Sequence, residues 1–466
     1  MSKFIAALTA STILCSTPAL AWQDAETEDV AAEATEESSA TENWDVANPP
    51  LETREIQINV TEGTWMSLDV SPDGQTIAFD LLGDVYTMPI TGGEATSISS
   101  GLPWEIQPRF SPDGSQIAFI SDRDGGDNIW IMGADGSDAR ALTSESFRLL
   151  NNPTWSPDGR YIAARKHFTT SRSAGTGEIW LYHVLGGGGV QIVERPSESF
   201  QKELGEPMFS ADGQYIYYTR NVTSGNTFIY AQDSNTDLFN IMRYEMATGE
   251  TETAVSGVGG AVRPAPSPDG RFMAFVRRDR TQSGLYLKDL VSGEERRIYD
   301  DLDQDNQETW GVTGMYPNMD WTPDGENIVF WAGGQIHSLN IASGEATMIP
   351  FSVSDTRDVI DPPRPMVDVA PDEFQTQMPR FAQASPDGGS AVFESLGKLW
   401  VRDAETGATR RLTRDTSDRR ELFPTWSRDG RTIAFVTWED EELGTIRTIA
   451  ARGGRERLLT REPGHY

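Results

Sequence analysis

The residue types that do chemistry are few in this chain and poorly placed for it. Four histidines are present, His167, His183, His337 and His465. None forms the His-x-His pair that a zinc or nickel centre on a strand end would use. The one cysteine, Cys15, lies in an N-terminal apolar run. A mature chain lacking that run has no disulfide, thiolate ligand or cysteine nucleophile. No Gly-x-Ser-x-Gly elbow, phosphate loop or dinucleotide glycine pattern occurs. Asp301, Asp303 and Asp305 alternate like a calcium loop, but Asn306 stands where Gly is needed and Val312 where the bidentate Glu is needed. Asp122, Asp124 and Asp127 around Gly125-Gly126 read as a polar turn with calcium as the alternative. The expectation is therefore no catalytic residue, no metal and no cofactor.

One basic group stands out. Arg165, Lys166 and His167, with Arg172, interrupt a chain of net charge −32, in which 71 acids face 39 bases. They form the candidate ligand face, suited to an anionic ligand or acidic partner; the alternative is a set of local salt bridges. The overall charge repels phosphate backbones and anionic lipid, so nucleic acid and membrane insertion are excluded as partners.

The 466 residues, 37% hydrophobic and 24% charged, describe a globular chain with a large core. Lys3, the apolar run Phe4 to Cys15 and Ala19-Leu20-Ala21 read as a secretory signal over 1–21, cut after Ala21. This predicts a secreted, periplasmic protein. Residues 22–50 carry nine acids and no Lys or Arg, and read as a solvated, disordered leader.

The rest, 51–466, is a repeat. A Ser/Thr-x-Asp-Gly turn recurs at Asp73, Asp113, Asp158, Asp212, Asp269, Asp324, Asp387 and Asp429. Apolar residues alternate after each turn, as in Ile77 and Phe79 or Ile433 and Phe435, which marks a strand with one face in a core. A third strand (Ile129-Trp130), a glycine turn (Asp135-Gly136) and a fourth strand (Ala139 to Thr143) complete a unit of about 40 residues. That period with four strands predicts an all-β fold, a β-propeller array of eight blades forming an incomplete ring. The eight Asp are assigned to the turns, where Gly takes φ > 0 and Asp bonds the backbone.

Ser-Pro-Asp-Gly-x-x-Ile-Ala-Phe at 71–79 and 111–119, with Ile129 to Met132 and Ala139 to Thr143, resembles the PD40 (WD40-like, TolB-type) propeller repeat of periplasmic proteins. Thr64 to Gly74, Ala164 to Thr170 and Tyr230 to Asn240 are similar to the propeller half of secreted proteins in which a TolB-like propeller precedes an amidohydrolase domain. That family's activity lies in its metal-dependent hydrolase half, whose residues are missing here.

Strands in a blade alternate in direction. The first–second and third–fourth turns share one face, and the second–third and blade-to-blade loops share the other. The first face is trimmed. Insertions at 165–178, 219–238, 299–318 and 350–380 all fall on the second, which is read as the working face. Arg54 to Val60 matches a fourth strand standing before the first blade, yet the last unit has its own fourth strand, Arg455 to Thr460. Residues 461–466 read like a blade-to-blade linker, so the array is expected to be truncated at its C-terminus. The expected function is a non-catalytic scaffold for a protein or peptide partner. The alternatives are the substrate-gating half of a metal-dependent hydrolase whose catalytic domain or subunit is elsewhere, and a propeller lyase or hydrolase with acids at its channel.

Overall fold

The computed structural model describes residues 45–170, 174–361 and 367–466. The expected signal and most of the acidic leader lie outside them. The described chain forms two compact units, one up to Pro362 and one from Pro363 on. The first holds six four-stranded antiparallel sheets, blades 1 to 6, over 68–99, 105–141, 150–193, 204–255, 262–302 and 320–349. The second holds two, blades 7 and 8, over 380–411 and 420–458. Among the described residues no helix occurs. The eight expected blades are therefore eight sheets, each opened by one of the predicted turns.

The turn chemistry is uniform. In blade 2, Asp113 Oδ1 accepts from Ser111 Oγ at 2.7 Å and from Ser115 N at 3.0 Å. Ser111 Oγ in turn accepts from Gln116 N. The same pair of bonds recurs at the other seven Asp, from Asp73 to Asp429. Each following glycine has a φ between 66 and 74°, a region that a Cβ disfavours. These bonds hold the carboxyls below their ordinary range, Asp113 and Asp158 at about 2.

The proline of the motif acts between blades. A Cβ added to Gly74, Gly114, Gly159, Gly213 or Gly325 would meet the ring of Pro323, Pro72, Pro112, Pro157 or Pro268, the turn proline of the preceding blade, at 3.3 to 4.0 Å. Gly270 has no such neighbour, because blade 4 carries Ala211 at that place. The inner-strand tryptophan just before the turn Ser or Thr also works across blades. Trp155 Nε1 donates to Arg109 O of blade 2 and Trp321 Nε1 to Ala265 O of blade 5.

Blade 6 is neighbour to blade 5 and to blade 1. Leu68 N donates to Asn318 O, Val70 N to Asp320 Oδ2, and Trp331 Nε1 to Gly63 O. The core follows, with Leu68, Ile77 and Phe79 of blade 1 sharing a cluster with Ile328 and Phe330 of blade 6. The leading strand behaves differently from the expectation. Thr53–Val60 joins no blade. It pairs antiparallel with Phe351–Ile360, in register from Thr53↔Ile360 to Val60↔Val353, and that second strand runs parallel to Gly93–Glu94. The 350–380 insertion thus supplies a strap strand, and the leading strand finds its backbone partners there rather than in a vacant blade edge.

Candidate functional site

The inner strands bring together residues that share one repeat position. Four places before the turn Ser/Thr stand Ser67, Gln107, Asn152, Glu206, Arg263 and Asn318, one per blade of the first unit and all buried. In the middle four the inner strand bulges at this residue, with φ of 54 to 59°, which turns the side chains inward to meet one another. Arg263 Nη2 pairs with Glu206 Oε1 at 3.0 Å, and Arg263 Nη1 donates to Asn152 Oδ1 at 3.0 Å and to Asn318 Oδ1. One guanidinium of blade 5 thus joins blades 3, 4 and 6.

The blade 5–6 loop fills the space these residues surround. Gln107 Nε2 and Asn152 Nδ2 both donate to Thr313 O, at 2.7 and 3.0 Å. Met315 N donates to Glu206 Oε1 at 2.6 Å, and Arg263 Nε to Tyr316 O at 2.6 Å. The polar ring therefore grips an extended stretch of main chain, 313–316.

Two places further along each inner strand a second layer holds Asp69, Arg109 and Asp320. Arg109 Nη1 pairs with Asp69 Oδ1 at 2.5 Å, and Asp69 and Asp320 hydrogen-bond through their side chains. Burial raises both carboxyls; the charge of Asp69 adds to this at Asp320, which reaches about 8. Folded Asp320 thus keeps a proton that the unfolded chain releases near 3.8. Its contribution to stability is complete at acid pH and is lost as pH rises toward 8. Asp320→Asn is expected to flatten that slope and to melt higher than wild type at pH 9, as measured by thermal denaturation across pH.

Beside the loop the long-loop face opens into a cleft of about 290 Å³, walled by Trp65, Leu82, Trp104 and Ile106 with Asp80 and Gln107 at its polar side. Leu82 belongs to a second–third turn and Trp104 to a blade-to-blade loop. Trp104 is 56% exposed. Asp80 is buried and accepts from Ser67 N and Gln107 N at 2.9 and 2.7 Å, yet burial pushes its carboxyl up to about 7.

The expected basic ligand face is corrected. Arg165 is 1% exposed and pairs with Glu203 at 2.5 Å. His167 is buried beside it, accepts from Arg165 Nη2 through Nδ1 at 2.9 Å, and packs on Trp310. Burial and the charges of Arg165 and Arg148 push the His167 pKa down to about 3, so its ring is neutral. Lys166 pairs with Glu145 at 2.5 Å over the Trp180 ring. Arg165 is thus an ion-pair partner where blade 3 meets blade 4, Lys166 pairs with the loop between blades 2 and 3, and His167 is their neutral buried neighbour. The physical reason is two glycines. A Cβ on Gly177 or Gly205 would strike the Arg165 side chain at 2.6 Å, so their absence of side chains opens an internal slot for it. Arg172 lies outside the described residues.

The insertions at 165–178, 219–238, 299–318 and 350–380 do fall between second and third strands or between blades, as expected. The acid clusters do not gather. Asp305 pairs with Arg278, Asp303 accepts from Gly333 N, and Asp122 accepts from Trp104 N. Among the described residues no three His, Cys, Asp or Glu stand together to hold a metal ion. The polar ring and the cleft were missed in the sequence. The signal was the fixed repeat position, four before each turn hydroxyl, at which polar side chains replace the apolar ones expected of an inner strand.

Residues 68–228 match the family model of the tricorn protease N-terminal β-propeller domain. Over those residues the chain is similar to that propeller domain. Tricorn protease homolog 1 of Streptomyces coelicolor is 25% identical over 388 residues, covering 80% of this chain and 32% of its own length. The uncharacterized peptidase YuxL of Bacillus subtilis is 30% identical over 217 residues, 44% of this chain and 28% of its own. The tricorn protease crystal structure superposes with a TM-score of 0.45 at 17% identity, covering 86% of this chain and 36% of that one. The chain thus spans about a third of the length of these two curated relatives, one named as a tricorn protease homolog and one as an uncharacterized peptidase.

Proposed function

We infer that the six-blade unit is a non-catalytic peptide-recognition module that serves a peptidase, and that it works in the periplasm. The observation that carries this is the cleft of Trp65, Leu82 and Trp104 on the long-loop face. Its walls suit an apolar or aromatic side chain, and its polar edge, Asp80 and Gln107, borders the ring that already holds main chain of 313–316. Exposed tryptophan in a concave, partly polar setting is the composition of binding hot spots. The relatives named as a tricorn protease homolog and as an uncharacterized peptidase support the partner class, and Lys3, the 4–15 run and Ala19-Leu20-Ala21 support export.

The test is fluorescence anisotropy with fluorescein-labelled, unstructured casein peptides. Trp104→Ala is expected to weaken binding by about tenfold or more with an unchanged melting temperature. Ser115→Asn, in a short turn of the opposite face, is expected to bind as wild type. Equal affinity of wild type and Trp104→Ala would discard the cleft as the recognition site. Recovery of a mature chain starting at Trp22 from the periplasmic fraction would support the location.

A further inference from the structure

Among the described residues of the first unit, every buried carboxylate but one has an arginine beside it. Arg357 serves Asp84, Arg123 serves Glu105 and Arg263 serves Glu206, while Asp69 and Asp320 share the charge of Arg109. The exception is Asp80. It is 6% exposed, and its two oxygens are met by the main-chain N–H groups of Ser67 and Gln107 alone. Burying a carboxylate without a countercharge is costly, and that cost is what pushes the Asp80 carboxyl up to about 7.

The missing countercharge is not supplied by the cleft. None of the residues that line it is a Lys, Arg or His. Arg357 donates to the Leu82 carbonyl at 2.9 Å, but its charge is taken by Asp84. What the cleft does offer is indole, held in place. A Cβ added to Gly83 would meet the Trp104 ring at 2.6 Å, so that ring lies directly on the glycine, and Trp104 N donates to Asp122 Oδ1 at 2.7 Å. Trp65 packs against Tyr316 and Trp331, with ring centroids 5.7 and 6.2 Å away. Rings fixed in advance lose little freedom when a ligand arrives.

The face of an indole attracts a cation, and the unpaired carboxylate beside it acts in the same sense. A glutamate or a peptide carboxyl-terminus would meet Asp80 as a like charge. Lys and Arg carry an apolar stem below a charged end, which matches the order of surfaces here, Leu82, Ile106 and the indoles first and Asp80 at the polar side.

We propose that the cleft is a subsite for a basic side chain of the bound peptide, a Lys or Arg whose stem packs on Trp104 and Leu82 and whose charged end pairs with Asp80. This rests on the cleft being the peptide-recognition site, and it narrows the side chain taken there to one with an apolar stem and a cationic end. The test is fluorescence anisotropy with fluorescein-labelled, amide-capped Ala/Ser peptides that carry Lys, Arg, norleucine or Glu at the centre. Salt of about 150 mM screens distant acids beyond roughly 8 Å. The Lys and Arg peptides are expected to bind wild type about tenfold tighter than the norleucine peptide, and the Glu peptide more weakly than norleucine. Asp80→Asn and Trp104→Ala are each expected to level the Lys and norleucine affinities. Trp104 is exposed, so its variant tests the cleft even if Asp80→Asn, which sets an amide N–H against two main-chain N–H groups, does not fold. Lys and norleucine peptides that bind wild type alike, both weakened in Trp104→Ala, overturn the basic subsite and leave peptide recognition standing. A Lys preference that persists in both variants also overturns it, as general attraction to the net charge of −32. No binding by any peptide, the casein peptides included, overturns the recognition reading and this subsite with it.

Discussion

Arg263→Ala is expected to be among the most damaging single substitutions in the first unit, costing on the order of 3–5 kcal/mol of stability. The guanidinium is 3% exposed, as is its partner Glu206. Removing it leaves that carboxylate buried without its countercharge, and leaves Asn152 Oδ1, Asn318 Oδ1 and Tyr316 O without a donor. Each stranded buried acceptor adds its own desolvation cost. Burial lowers the Arg263 pKa only to about 10, so the charge is present throughout the neutral range. Arg263→Lys should recover little, because a single ammonium cannot reach three blades and a loop with one planar fork. Urea denaturation of both variants measures this. A loss below about 1 kcal/mol in Arg263→Ala, the usual size for a surface pair, would mean that the ring is held by the loop and not by this side chain.

Arg165→Ala is expected to cost a similar amount, about 3–5 kcal/mol above neutral pH, and its cost should depend on pH. Burial outweighs Arg165 and sets the Glu203 carboxyl at about 7. Without Arg165 that carboxyl rises further, so in acid it takes a proton and the buried charge disappears. The deficit relative to wild type should therefore be small near pH 5 and grow as pH climbs past 7. His167 acts in the opposite direction. Its folded pKa near 3 lies below the ordinary 6.5, so wild type loses stability as pH falls through that window, and removing the Arg165 charge should relieve part of this. Thermal melts of wild type and variant from pH 4 to 9 give the comparison. A deficit constant across pH would show that Arg165 acts through the volume of its alkyl chain between Gly177 and Gly205 alone.

The turns were legible because their causes are local. Asp113 bonds residues two places either side, and the Ser111 bond to Gln116 spans five. Any chain that carries Ser-Pro-Asp-Gly can make these bonds. The proline could be seen but not explained, since its contact is with the glycine of the next blade, 42 residues away for Pro72 and Gly114. Arg165 was misplaced for a related reason. A cation in an acidic chain suggests an exposed site, and only Gly177 and Gly205, 12 and 40 residues on, show that a slot awaits it. The leading strand Thr53–Val60 was legible as a strand from its alternation. Its partner was not, because backbone pairing carries no address in the sequence.

The strap has a consequence for synthesis. Gln57 and Thr356, joined by a side-chain hydrogen bond across the two strands, are 299 residues apart, and at typical rates of about 5–20 residues per second they emerge from a ribosome roughly 15 to 60 s apart. For most of that interval blade 1 exists without blade 6, and throughout it Thr53–Val60 offers an unpaired edge to any other strand. Such an edge invites pairing with the wrong chain. Its side chains read Thr-Arg-Glu-Ile-Gln-Ile-Asn-Val, with a charged pair and two amides among the apolar residues, a composition that tempers aggregation while the chain waits for its own far end.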